Sequence, residues 1–161
     1  MRHLQKYWRT VGFLIAWSAL GTGCNRPASK LAPVADKSAW LTNYAQAQAE
    51  AKTKQKLLLL DFTGSDWCTW CIKLKREVFE TAEFKDYARK NLILLAVDFP
   101  RMVELSAEQK TQNEQLAQQF QIEGFPTIVV LNGEGRMLGA LGYTRGGPAA
   151  FITELEKIRD I

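Results

Sequence analysis

Cys68 and Cys71 stand three residues apart in Trp67-Cys68-Thr69-Trp70-Cys71, a spacing that can close a small disulfide ring. The run Lys56 to Phe62 before them is almost wholly apolar and reads as a buried strand, while Ile72 to Phe79 after them reads as a helix. The pair therefore sits where a strand hands over to a helix. There the unpaired N–H groups and the positive end of the helix favour a thiolate, the species that attacks disulfides. The competing readings are a structural disulfide or two buried free thiols. A structural cross-link gains most by closing a long loop, and this ring is tiny. The spacing and context therefore favour redox chemistry.

The rest of the composition narrows the alternatives. The only histidine is His3, in a basic amino-terminal stretch. If that stretch is removed, no histidine remains for Ser-His-Asp or Cys-His catalysis or for a His-ligated metal. Two thiolates are too few for zinc, so no metal is expected. The formal charge of +4 falls to +1 without Arg2, Lys6 and Arg9. A near-neutral remainder gives no reason to expect a nucleic-acid partner.

Met1 to Arg9 is basic, Val11 to Leu20 is apolar apart from Gly12 and Ser18, and Gly21-Thr22-Gly23 leads into Cys24. Basic, apolar, small is the order of a secretory signal, and the apolar run is short for a membrane span, which takes about 20 residues. Cys24 resembles the lipid-modified cysteine of bacterial lipoproteins, although the leucine usual three residues before it is replaced by Gly21. Lipidation at Cys24, ordinary cleavage and an uncleaved anchor all remain open. All three imply export into an oxidising compartment. Residues 1–24 are thus expected to be a signal segment. Residues 25–35, with Pro27, Ser29 and Pro33, read as a tether, and residues 36–161 as one domain.

Positioning the cysteines falls to alternating elements. Asp36 or Ser38 is expected to cap a first helix from Ala39 to about Lys54. Leu57–Phe62 is expected to be a strand, Thr69 to about Lys90 one helix, and Leu92–Val97 a second strand. Ser106 to Phe120 reads as a helix, Thr127–Leu131 and Arg136–Tyr143 as strands joined by the Asn132-Gly133-Glu134-Gly135 turn, and Ala149–Ile158 as a last helix. Such alternation indicates an α/β sheet covered on both faces, closed by an antiparallel hairpin.

Asp61-Phe62, Trp67-Cys68-Thr69-Trp70-Cys71 and Gly124-Phe125-Pro126-Thr127, in that order on those elements, resemble a thioredoxin-fold domain over about Leu57 to Ile158. Asp66-Trp67-Cys68 with Glu77-Val78-Phe79 looks closest to exported members, including the soluble carboxy-terminal domain of membrane thiol–disulfide interchange proteins. The resemblance implies a central mixed sheet of four to five strands flanked by helices. It implies Cys68 as nucleophile at an exposed edge and Cys71, more buried, as the resolving thiol. Asp61 would accept a proton from the buried cysteine, although it lies one residue further from Cys68 than usual; a strand-end carboxylate facing solvent is the alternative. Burial there would raise its pKa. The lysine that often partners this acid is missing from the second strand. Pro126 would follow a cis peptide bond beside the cysteines, and Phe125 would touch substrate.

Trp67 and Trp70 flank Cys68 and suit an apolar platform for a peptide substrate, with Trp67 the more core-like and Trp70 the more exposed. Lys73, Lys75 and Arg76 could lower the Cys68 pKa, but a solvated helix face is the preferred reading. Arg76 stands where the family often has proline, so the helix is expected to lack the usual kink. No cofactor motif is present, so none is expected, and electrons would come from another dithiol protein, membrane-bound or soluble. The expected partners are disulfide-containing proteins, that donor, and a membrane through lipid. A non-catalytic lipoprotein module that binds a partner in the same groove is the alternative. The expected function is an exported, lipid-anchored thiol–disulfide oxidoreductase that reduces protein disulfides through Cys68 and Cys71, although reductase, oxidase and isomerase share this site.

Overall fold

The computed structural model describes residues 40–160, so the expected signal, the Cys24 lipidation site, the tether and the Asp36 or Ser38 cap lie outside the described residues. Four strands form one mixed sheet: β1 (Leu57–Thr63), β2 (Leu92–Asp98), β3 (Thr127–Leu131) and β4 (Met137–Leu141), in the order β2-β1-β3-β4. β1 runs parallel to β2 and antiparallel to β3, and β3 pairs antiparallel with β4. Five α-helices accompany it: α1 (Tyr44–Lys54), α2 (Thr69–Leu74), α3 (Ala82–Asn91), α4 (Ala107–Gln119) and α5 (Gly147–Arg159). This is the expected thioredoxin fold. No helix among the described residues is long and apolar enough to cross a membrane.

Strand periodicity divides the core into two layers. Leu58, Leu60 and Phe62 of β1 join Ile93, Leu95 and Val97 of β2 in one cluster, closed by Ala47 and Ala51 of α1 and Leu116 of α4. Leu59, Leu92 and Leu94 face the other way, onto Leu74, Val78, Phe84, Phe151 and Leu155. Asp61 shares the parity of Leu59. The strand thus aims its one acid at the side of the sheet that carries α2.

Two expectations about helices need correction. The first helix begins at Tyr44, not Ala39, because Asn43 Oδ1 accepts the Gln46 N–H at 2.8 Å and caps it there. Leu41 just before it is extended instead: its N–H donates to the Leu94 carbonyl at 2.9 Å and its carbonyl accepts from Ala96 at 2.8 Å, a one-residue bridge along the β2 edge. The helix expected to run unbroken from Thr69 to Lys90 is interrupted. After α2 it widens into a π turn over Lys75–Phe79, where the Glu80 N–H reaches the Lys75 carbonyl at 2.9 Å. It then stops, and Thr81 caps α3 by accepting the Phe84 N–H. The interruption comes without a proline, from one turn widened by a residue.

Candidate active site

Gly64 makes the sharp exit from β1. Its carbonyl accepts the N–H groups of Trp67 at 3.2 Å and Cys68 at 2.8 Å. A side chain at Gly64 would collide with the Trp67 indole. Cys68 then caps α2: its Sγ accepts the Cys71 N–H at 3.2 Å. The two cysteines form a disulfide with their Cα atoms 5.2 Å apart. Cys68 is 7% exposed and Cys71 4%. Cys68 is the more open, as expected, but by a small margin, and the exposed edge is a correction. Its sulfur accepts the Cys71 N–H of the first turn, and the residue is buried.

Asp61 lies beneath. It lines a cavity of about 340 Å³ together with Cys71, Lys75, Ser65 and Asp98. The carboxylate is buried, and its Oδ1 has no hydrogen-bond partner in the protein. Burial pushes its pKa up to about 7, with the Asp98 charge adding to the rise and Lys75 opposing it. The alternative of a solvent-facing strand end is therefore excluded. The added residue in Gly64-Ser65-Asp66 is absorbed in the loop and leaves the parity of β1 intact.

Two residues at this site, Asp98 and Ser65, were not singled out in the sequence. Asp98 pairs in register with Thr63, on the same face as Asp61. It accepts the Ser65 N–H at 2.9 Å and the Ser65 hydroxyl at 2.6 Å. Lys75 is solvent-exposed, as its reading in a solvated helix face expects, and it also lines the cavity, where its charge opposes the rise in the Asp61 pKa; it follows Cys71 by four residues. Both signals, strand parity and helical spacing, were available.

The aromatics separate into two groups. Trp67 is half-buried: its Nε1 donates to the Phe99 carbonyl at 2.8 Å and its ring meets Phe125 edge-on with centroids 5.9 Å apart. Phe125 also stacks on Phe99 at 5.2 Å. Trp70 is 50% exposed and leans on Tyr143, with the Lys73 ammonium 5.2 Å from both rings. The Phe125–Pro126 bond is cis. Pro126 enters β3 directly before Thr127, which pairs with Phe62, so it stands at the end of the sheet from which the cysteine loop departs. Among the described residues, no group of three or more His, Cys, Asp or Glu side chains is placed to hold a metal ion.

Comparison with known proteins agrees with this geometry. A family described as Thioredoxin-like domain matches residues 44–159. The chain is 36% identical to the disulfide bond reductase DsbH of Chlamydia pneumoniae over 124 residues, which is 77% of this chain and 75% of that protein. It is 30% identical to the thiol:disulfide interchange protein DsbD of Pasteurella multocida (strain Pm70) over 129 residues, 75% of this chain but only 20% of that longer protein. A solved structure of a DsbH oxidoreductase superposes with a TM-score of 0.73 at 34% identity, covering 84% of this chain and 94% of the other.

Proposed function

The chain belongs to the thioredoxin-like domain family and is a thiol–disulfide oxidoreductase, and we propose that it works as an exported reductase of protein disulfides, held at a membrane by lipid on Cys24. The observation that carries the reading is the Cys68–Cys71 pair at a helix start, with Cys71 and Asp61 lining one cavity. The reducing direction is supported by similarity to a protein named as a disulfide bond reductase. Export is supported by the basic, apolar, small order of residues 1–24.

In the reduced protein Cys68 is the nucleophile. The Cys71 N–H that points at its sulfur, with the helix start behind it, favours the thiolate. The thiolate attacks one sulfur of the substrate disulfide, and the other sulfur leaves as a thiolate. A mixed disulfide with Cys68 results. Asp61, whose pKa of about 7 suits proton transfer near neutral pH, takes the Cys71 proton through the cavity. The Cys71 thiolate then attacks Cys68, the second substrate thiolate departs, and the Cys68–Cys71 disulfide remains. Two electrons have passed to the substrate, and a dithiol donor protein returns two to reset the pair. Trp67, Trp70, Phe125 and Pro126 border the cysteines and receive the substrate chain.

The test is reduction of insulin by the purified protein with dithiothreitol as donor. Wild type should accelerate precipitation of the reduced chains, and Cys68→Ser should fall to the uncatalysed rate. Equilibration with glutathione should place the pair on the reducing side, more negative than about −200 mV. Insulin reduction that survives in Cys68→Ser contradicts the reading.

A further inference from the structure

The segment after β2 is fixed with unusual thoroughness for a loop. The Asp98 carbonyl accepts from Asn113 Nδ2 of α4 at 2.8 Å, and the Phe99 N–H donates to the Thr63 carbonyl at 2.8 Å. Trp67 holds the Phe99 carbonyl from the other side. Next, the Asp66 carboxylate accepts the N–H of Arg101 at 3.0 Å and of Met102 at 2.6 Å. These bonds hold the Asp66 carboxyl below the usual carboxylate range. The Arg101 guanidinium lies 3.8 Å from the centroid of the Trp67 ring. The backbone from 98 to 102 is thus tied to α4, to β1 and, through Trp67 and Asp66, to the loop that carries Cys68.

What this scaffold presents is apolar. Met102 is 83% exposed and Val103 64%. Scattered exposed apolar side chains need no explanation, but two adjacent ones on a backbone pinned beside a reactive pair do. Behind Val103 a pocket of about 210 Å³ opens between the loop and α4, with Phe99, Pro100 and Leu105 as its apolar wall and Asp98, Lys110, Asn113 and Glu114 as its polar one. It has room for an apolar side chain of a partner.

We propose that Met102, Val103 and the pocket behind them form a second docking surface for the substrate, gripping an extended apolar stretch of the polypeptide that carries the disulfide. The occupant follows from continuity. Asp66, which holds the loop, is two residues from Cys68, and Trp67, on which Arg101 lies, is one. A chain in mixed disulfide with Cys68 that continues past Trp67 meets Met102 next. The substrate class is therefore a polypeptide with apolar residues near its cysteines, since a small-molecule disulfide does not extend that far. The inference rests on the oxidoreductase reading and adds the determinant of substrate size.

The double variant Met102→Ser/Val103→Ser tests it in the full chain, with dithiothreitol as donor so that no donor protein enters. Two substrates are compared: insulin, and oxidised glutathione as a small disulfide. Both side chains are exposed, so the fold is expected to persist, and circular dichroism verifies it. The ratio of insulin to glutathione-disulfide kcat/KM should fall about tenfold, through KM, as expected for losing contact with two apolar side chains. An unchanged ratio, or equal loss on both substrates, overturns the docking surface. So does a change of oligomeric state with the ratio unchanged, which would assign the patch to a second copy. Inactivity of the wild type itself would instead remove the oxidoreductase reading, so the two failures are distinguishable.

Discussion

The two ends of strand β1 are built for opposite purposes. Leu58, Leu59 and Leu60 are fully buried among apolar neighbours, with Leu92 to Leu95 on one side and Val129 to Leu131 on the other. The next residue, Asp61, is buried with an orphaned oxygen, and Thr63 and Asp98, paired in register with each other, lie on the same face. The first end contributes stability by burying apolar surface. The second end gives some up, because a buried carboxylate without a partner is costly. In the proposed mechanism, a strand that keeps such a group in its core places the proton acceptor in the cavity that Cys71 also lines. Stability and reactivity are thus separable along a single strand, and substitutions should separate them.

Asp61→Asn should have the largest effect, in opposite directions on the two properties. The native protein keeps the Asp61 proton up to about pH 7, whereas the unfolded chain loses it near 4. Between those values the native state holds a proton that the unfolded state has released. Stability therefore falls as pH rises from about 4 to about 7 and levels off above. The variant should lack this fall and be more stable at pH 8 by on the order of 4 kcal/mol, with little difference at pH 4. Its release of substrate from the mixed disulfide should slow by roughly 100-fold at neutral pH. Denaturant unfolding and single-turnover kinetics measure the two. A variant that loses both stability and rate would break the contrast.

Leu58→Ala probes the other end. Leu58 is fully buried on the face away from Asp61. It should lower stability by about 3 kcal/mol and leave the rate per folded molecule unchanged. A selective loss of rate would show that the ends are coupled.

Lys75→Met should have the smallest effect and sharpen the picture most finely. Lys75 opposes the rise in the Asp61 pKa, so its removal should move the pH midpoint of mixed-disulfide release upward, with stability at pH 4 unaltered. A midpoint that stays in place, or moves down, removes Lys75 from the account.

Much of this arrangement was legible in the sequence, because its signals are local. The apolar run ending in Asp61, the cysteine spacing and the Asn132-Gly133-Glu134-Gly135 turn each declare themselves within a few residues, and β3 was read to its ends. Capping at Asn43 was harder to see, since Asp36 and Ser38 compete as caps and the choice is settled by Leu41 pairing with β2. The π turn was invisible, because no residue type announces a widened turn as proline announces a kink. The Asp66 tie to the 98–102 segment escaped for a third reason. It depends on which elements lie side by side, and Asp66 bonds backbone N–H groups 35 and 36 residues away. A long-range bond to a main-chain group leaves no trace in side-chain type.

The central claim is that Cys68 attacks and Cys71, with its proton passed to Asp61, resolves. Trapping tests it most directly. Cys71→Ala, reduced and then mixed with a disulfide-containing polypeptide, should accumulate a stable one-to-one mixed disulfide, and peptide mapping should place the link at Cys68. Adding Asp61→Asn to this variant should leave the rate of trapping nearly unchanged, because Asp61 acts only in the step that has been removed. A protein that forms no mixed disulfide, or whose trapping slows as much as turnover does when Asp61 is replaced, would contradict the account.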